Sequence, residues 1–90
     1  MNTITLFLSE SNPERAPAIV EAVRLAWCPA DTDWATSLQA DGSIAELSIS
    51  HRSVPGVGAP GQALIERLIR AVTDANGGPC RISAFVGAQG

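Results

Sequence analysis

The sequence predicts a two-layer α/β sandwich, and three observations carry that expectation. Apolar residues recur with period two in some segments and with helical spacing in others, in the order β-α-β-β-α-β. An Asp41-Gly42 turn signal stands between two stretches of alternating apolar residues. The chain has 90 residues, 46% hydrophobic and 17% charged. That composition is expected to form one small domain over residues 1–90 and excludes a disordered chain.

Ile4, Leu6 and Leu8 alternate with Thr3, Thr5, Phe7 and Ser9, which reads as a first strand. Ser11 and Glu14 then stand at capping-box spacing. Pro17 is tolerated only in a first helical turn, so a short turn is expected before a helix that begins near it. Ala16, Ile19, Val20, Val23 and Trp27 form its buried stripe, and Cys28-Pro29 ends it. A type I′ turn at Asp41-Gly42 would pair Ala40 with Ser43, Leu38 with Ala45, Thr36 with Leu47 and Trp34 with Ile49. That register puts Ala45, Leu47 and Ile49 on the core face and Glu46, Ser48 and Ser50 on the other.

The second helix is expected from Gly61 or Gln62 to Ala75, with Leu64, Ile65, Leu68, Ile69 and Val72 facing inward. Glu66 and Arg70 have the spacing of an exposed ion pair. Asn76-Gly77-Gly78-Pro79 stops the helix. The final strand, Arg81–Val86, turns Ile82, Ala84 and Val86 one way and Ser83 and Phe85 the other. Two helices on one face of a four-stranded antiparallel sheet follow, with the ferredoxin-like spatial order 4-1-3-2 as the first expectation. In that order one end of the domain gathers Asp31, Asp33, His51, Arg52 and the glycine-rich loop.

Function is approached first by exclusion. The net charge is −3, and all six basic residues are Arg. The absence of Lys suggests a GC-rich bacterial or phage gene. An acidic chain is a poor ligand for nucleic acid, whose binding rests on clustered positive charge, so another protein is the expected partner class, and a basic one is compatible with the charge. No apolar run is long enough to span a membrane, and the N-terminus has no basic, cleavable leader pattern. A soluble, cytoplasmic chain is expected. No His or Cys spacing suits a metal, and no cofactor is expected.

Gly56-Val57-Gly58-Ala59-Pro60-Gly61 is a GxGxxG between a strand and a helix. In dinucleotide-binding folds such glycines admit a pyrophosphate at a helix N-terminus, with an acidic residue about 20 positions further on. Here Arg81 and Ile82 stand at that distance, and Pro60 removes an amide. A tight connection is the simpler reading. Gly61-Gln62-Ala63-Leu64-Ile65 also resembles, loosely, the helix start after the acetyl-CoA loop of GNAT acetyltransferases, with Ala16–Ile19 and Arg81–Val86 extending the likeness. The resemblance implies an acyl-CoA or small-ligand site. It departs at Gly56, where a basic residue belongs, and at Ala59, where the first glycine belongs.

His51 and Arg52, beside Gly56, Gly58 and Gly61, are candidate ligands for an anion at the second helix's N-terminus. His51 itself continues the inward face of its strand, so a core-edge position with one ring nitrogen bonded is expected. Phe7 and Phe85 project from adjacent strands onto the sheet face without helices, with Glu46 and Ser48 near them. Such a face is open in a two-layer fold, which makes the pair a candidate docking surface or a homodimer seam. RNA recognition uses aromatics on a comparable face, but the third strand SIAELSISHR has none.

The expected function is therefore a small non-enzymatic protein-binding module. Inhibitor or immunity-type proteins, such as toxin-neutralising or phage anti-CRISPR proteins, are the matching class, and no catalytic residue is assigned. The alternative is a small-ligand or acyl-CoA-binding domain. The topology also separates Cys28 from Cys80 by about a helix length, ~20 Å, beyond the roughly 7 Å that a disulfide spans. Mass spectrometry of the unreduced protein is expected to find both thiols free, and a Cys28–Cys80 bond would rule the topology out.

Overall fold

The computed structural model describes residues 2–27, 32–56 and 58–88. Its elements are β1 (Asn2–Ser9), a 3₁₀ turn (Pro13–Arg15), α1 (Ala16–Ala26), β2 (Asp33–Leu38), β3 (Ile44–His51), α2 (Ala59–Asn76) and β4 (Arg81–Ala88). The strands form one antiparallel sheet in the order β2-β3-β1-β4, the arrangement expected from the sequence. Cys28 and Asp31 lie outside the described residues. Among the described residues no helix is long and apolar enough to cross a membrane.

Strand parity divides the molecule. Ile4 pairs with Ile49 and Val86, and Leu6 with Leu47 and Ala84, so apolar side chains stack in rows on the helix side. Ile19 and Val23 of α1 and Leu64, Leu68 and Val72 of α2 close over them. Ile4, Leu6, Ile19, Val23, Ile44, Leu47, Ile49, Leu68 and Val72 are all sealed from solvent. Each such side chain contributes about 1.5–3 kcal/mol of burial energy, which is how a 90-residue chain offsets its ordering entropy.

Three details around the helices differ from the sequence expectation, and so does the hairpin. Ser11 does not cap the helix start. Its buried hydroxyl donates to the Ile44 carbonyl at 3.1 Å, and Asn12 takes the capping role by accepting from the Glu14 amide. α2 begins at Ala59, earlier than expected, because Pro60 fits the first helical turn. The exposed ion pair on the described helices joins Glu21 and Arg24 at 3.8 Å, and Glu66 and Arg70 do not form theirs.

The hairpin keeps the expected outer pairs, Trp34 with Ile49 and Thr36 with Leu47, but not the inner ones. The Gly42 amide donates to Gln39 and the Gln39 amide to Ser43, which encloses a three-residue loop. Of the turn residues only Gly42 has positive φ, at 89°. A type I′ turn needs two such residues, so this is instead the three-residue loop that ends in one left-handed residue. The register then shifts between Ser37 and Leu38, and Leu38 meets Ile44 rather than Ala45. Ile44 joins the core, a position the strict alternation had given to Ala45. Asp41 braces the loop by accepting from the Ser43 amide and hydroxyl, and these bonds hold its carboxyl below the usual value.

At the C-terminal end of α2, the buried Asn76 side chain joins three chain segments. Its Oδ1 accepts the Asn12 amide at 2.7 Å, and its Nδ2 donates to the carbonyls of Gly78 and Pro79. Asn76→Ala would leave these partly buried groups without their partner. Denaturant unfolding of that variant is expected to show a loss of about 1–3 kcal/mol.

Candidate functional site

β1 presents Thr3, Thr5, Phe7 and Ser9 to the face that carries no helix, and the register brings their neighbours beside them. Thr3 meets Ser50, Thr5 meets Ser48 and Phe7 meets Glu46 on one side. On the other, Thr5 meets Phe85 and Phe7 meets Ser83. Two hydroxyl pairs bond across the strands, Thr3 with Ser50 at 2.8 Å and Thr5 with Ser48 at 3.4 Å, and Ser48 donates along its own strand to Glu46 at 3.3 Å. The sheet therefore lays down a floor of mutually satisfied hydroxyls.

Phe7 and Phe85 rise from that floor as a diagonal pair, their ring centroids 5.7 Å apart at 71°. This edge-to-face geometry is one that aromatic quadrupoles favour. The rings remain 45% and 59% exposed, so the contact holds them in place without hiding them. Asp33 and Glu46 supply negative charge toward the β2 side, and Arg81, opposite Ser9, supplies positive charge at the β4 corner. Phe7, Phe85, Glu46 and Ser48 thus share one surface, and a shallow hollow in it is walled by both rings, Thr3, Thr5 and Glu46.

The second candidate site does not come together in the same way. Gly56, Gly58 and Gly61 line a hollow between the start of α2 and strand β4, with Ile65, Ala84 and Val86. Neither His51 nor Arg52 lines it. His51 is buried at the core edge, its ring 5.7 Å from that of Trp27 and nearly perpendicular to it. Its Nδ1 accepts the Ser53 amide at 3.0 Å and lies 2.7 Å from the Ser53 hydroxyl. An Nδ1 that accepts a backbone N–H carries no proton, so the neutral ring is assigned its proton on Nε2. The sequence reading missed Ser53, whose spacing of two residues from His51 is the only signal for it. This hydroxyl–imidazole contact lies within a turn and supports the chain locally.

The GxGxxG has a packing explanation at its last position. A Cβ on Gly61 would collide with the carbonyl oxygen of Gly56, so this close approach of two backbones requires glycine. That carbonyl, an acceptor, is turned onto the start of the helix where an anion would need donors. Cys80, the free thiol among the described residues, sits beside Glu10, and partial burial first and that carboxylate second push its pKa up. A raised pKa makes it a poor nucleophile. No cluster of potential metal ligands occurs among the described residues.

The fold and this surface define a two-layer α+β domain with one sheet face bare. Compared with known proteins, the chain matches no family model, no curated protein and no solved structure at a significant level.

The two glycine roles can be separated by substitution. Gly61→Ala forces backbone apart and is expected to lower stability by about 1–3 kcal/mol. Among the described residues, a Cβ on Gly56 meets only the Asn2 side chain, at an ordinary 3.5 Å. Gly56→Ala is therefore expected to stay within about 0.5 kcal/mol of the parent. Paired thermal melts check both values.

Proposed function

We propose that the chain is a small non-enzymatic protein-binding module that docks through the open face of its sheet. The observation that carries this reading is the Phe7–Phe85 pair, two large apolar rings left exposed on a hydroxyl floor. Contiguous exposed aromatics on a small domain mark interaction surfaces, and aromatic anchors dominate binding energy where they are buried on docking. Asp33 and Glu46 on the same face, together with the net charge of −3, favour a partner whose surface is basic around an apolar centre. An inhibitor or immunity-type protein working in the cytoplasm by covering such a surface fits this combination. The alternative small-ligand or acyl-CoA reading gains no support from the glycine loop, whose hollow is lined mainly by glycines and apolar side chains with Gln62 and lacks His51 and Arg52.

The test uses a partner recovered by affinity capture, purified, and titrated calorimetrically. Phe7→Ser and Phe85→Ser are each expected to weaken binding about tenfold or more, the cost of losing a buried anchor. Glu46→Lys is expected to weaken it further at low salt than at high salt. Unchanged affinity in both Phe variants would overturn the reading.

A further inference from the structure

β4 is an edge strand, and it lacks the devices that normally protect one. Edges are blunted by proline, lysine, bulges or covering elements. The other edge, β2, carries a register shift at Ser37/Leu38. β4 runs from Arg81 to Ala88 in unbroken register with β1, contains no proline or lysine, and has Arg81 as its only charge. Among the described residues nothing pairs with its outer side. This is a long, regular row of backbone donors and acceptors, and a second strand is what satisfies such a row.

The strand is also complementary to itself. Directly opposed residues of an antiparallel pair share a face. Placing the two-fold axis at Ala84 opposes Ile82 to Val86, Ser83 to Phe85 and Arg81 to Gly87, and uses the whole of 81–87. On the helix side, the hollow lined by Gly61, Ile65, Ala84 and Val86 opens beside Val86. The residue brought to that place is Ile82 of the second copy, and the symmetry seats Ile82 of the first copy in the second copy's hollow. On the open side, Phe7 lies opposite Ser83 and diagonal to Phe85. Phe85 would lie opposite Ser83 of the second copy and diagonal to that copy's Phe85, repeating the relation already present within one chain. The two Arg81 side chains fall at opposite ends of the seam, so no like charges meet.

We infer that the chain forms a symmetric homodimer by antiparallel β4–β4 pairing about Ala84, which joins two four-stranded sheets into one of eight. The occupant of the edge is a second copy, and the seam is the strand edge rather than the open face. This inference stands independently of the docking surface proposed above.

Light scattering across a dilution series tests the stoichiometry, and single-cysteine cross-linking tests the register. The wild-type chain is expected to give twice the chain mass at high concentration. Ile82→Lys, which places charge in the hollow, is expected to give the monomer mass with unchanged far-UV circular dichroism. In a Cys28→Ser, Cys80→Ser background, Ala84→Cys is expected to cross-link readily on mild oxidation, because residues on the axis oppose themselves. Ser83→Cys and Phe85→Cys, whose opposite neighbours are each other's positions, are expected to cross-link poorly. Phe7→Ser is expected to leave the dimer intact, which separates this inference from the docking reading. A wild-type chain that stays monomeric throughout overturns the proposal. A dimer that cross-links at Ser83→Cys or Phe85→Cys but not at Ala84→Cys overturns it as well.

Discussion

The structure depends on β1 having a strand on each side. β3 and β4 both pair with it along most of its length, and neither pairs with the other. Every alternate residue of β1 is thereby committed. Ile4, Leu6 and Leu8 stand at the middle of the core, while Thr3, Thr5 and Phe7 stand at the middle of the bare face. Both helices need that central apolar row to pack upon, and the aromatic pair needs the same strand to hold its two rings at a fixed diagonal. A shift of one residue in β1 would exchange the core and the surface together.

The division of labour between the faces accounts for where the described polar groups go. The helix side spends its polar groups on connection: Ser11 to Ile44, Asn2 to Val54, Asn76 to Asn12 and the carbonyls beyond α2. The lone histidine is taken up in the same way, by Ser53 and Trp27. The open side carries hydroxyls that satisfy one another and so have little need of a partner. Its two phenylalanines are different, because water neither bonds to them nor covers them at low cost. What a surface of this kind offers another macromolecule is area and shape.

Much of this was legible in the sequence, because period-two and helical spacings survive even in a short chain. Strand order and residue parity were enough to bring Phe7 beside Phe85 from positions far apart in sequence. The departures arose where one residue pattern suits two geometries. Asp-Gly serves both a two-residue turn and the last positions of a three-residue one, and the choice moved Ile44 into the core in place of Ala45. Ser11 and Glu14 matched a capping box, yet the Ile44 carbonyl, brought up by a distant strand, claimed the hydroxyl. The glycine motif also suits two geometries, and here it serves the tight connection that the sequence favoured. A close approach between Gly61 and Gly56 requires glycine whether or not a phosphate is present. His51 and Arg52 are adjacent to that loop in sequence, but the turn through Ser53 directs the imidazole to Trp27 instead.

The placing of β1 in the middle of the sheet also fixes an order of events during folding. β1 is the earliest strand along the chain, and β4, one of its two neighbours, is the latest. As the chain emerges from the ribosome, β1, α1, β2 and β3 can assemble while one side of β1 still has no partner. For that interval the strand that carries the buried Ile4, Leu6 and Leu8 is itself an edge, until β4 pairs with it. Contacts between distant parts of a chain are slow to form because loop closure must come first. Pairing of β4 with β1 therefore closes the sheet, and mispairing is most open to the chain before that pairing forms.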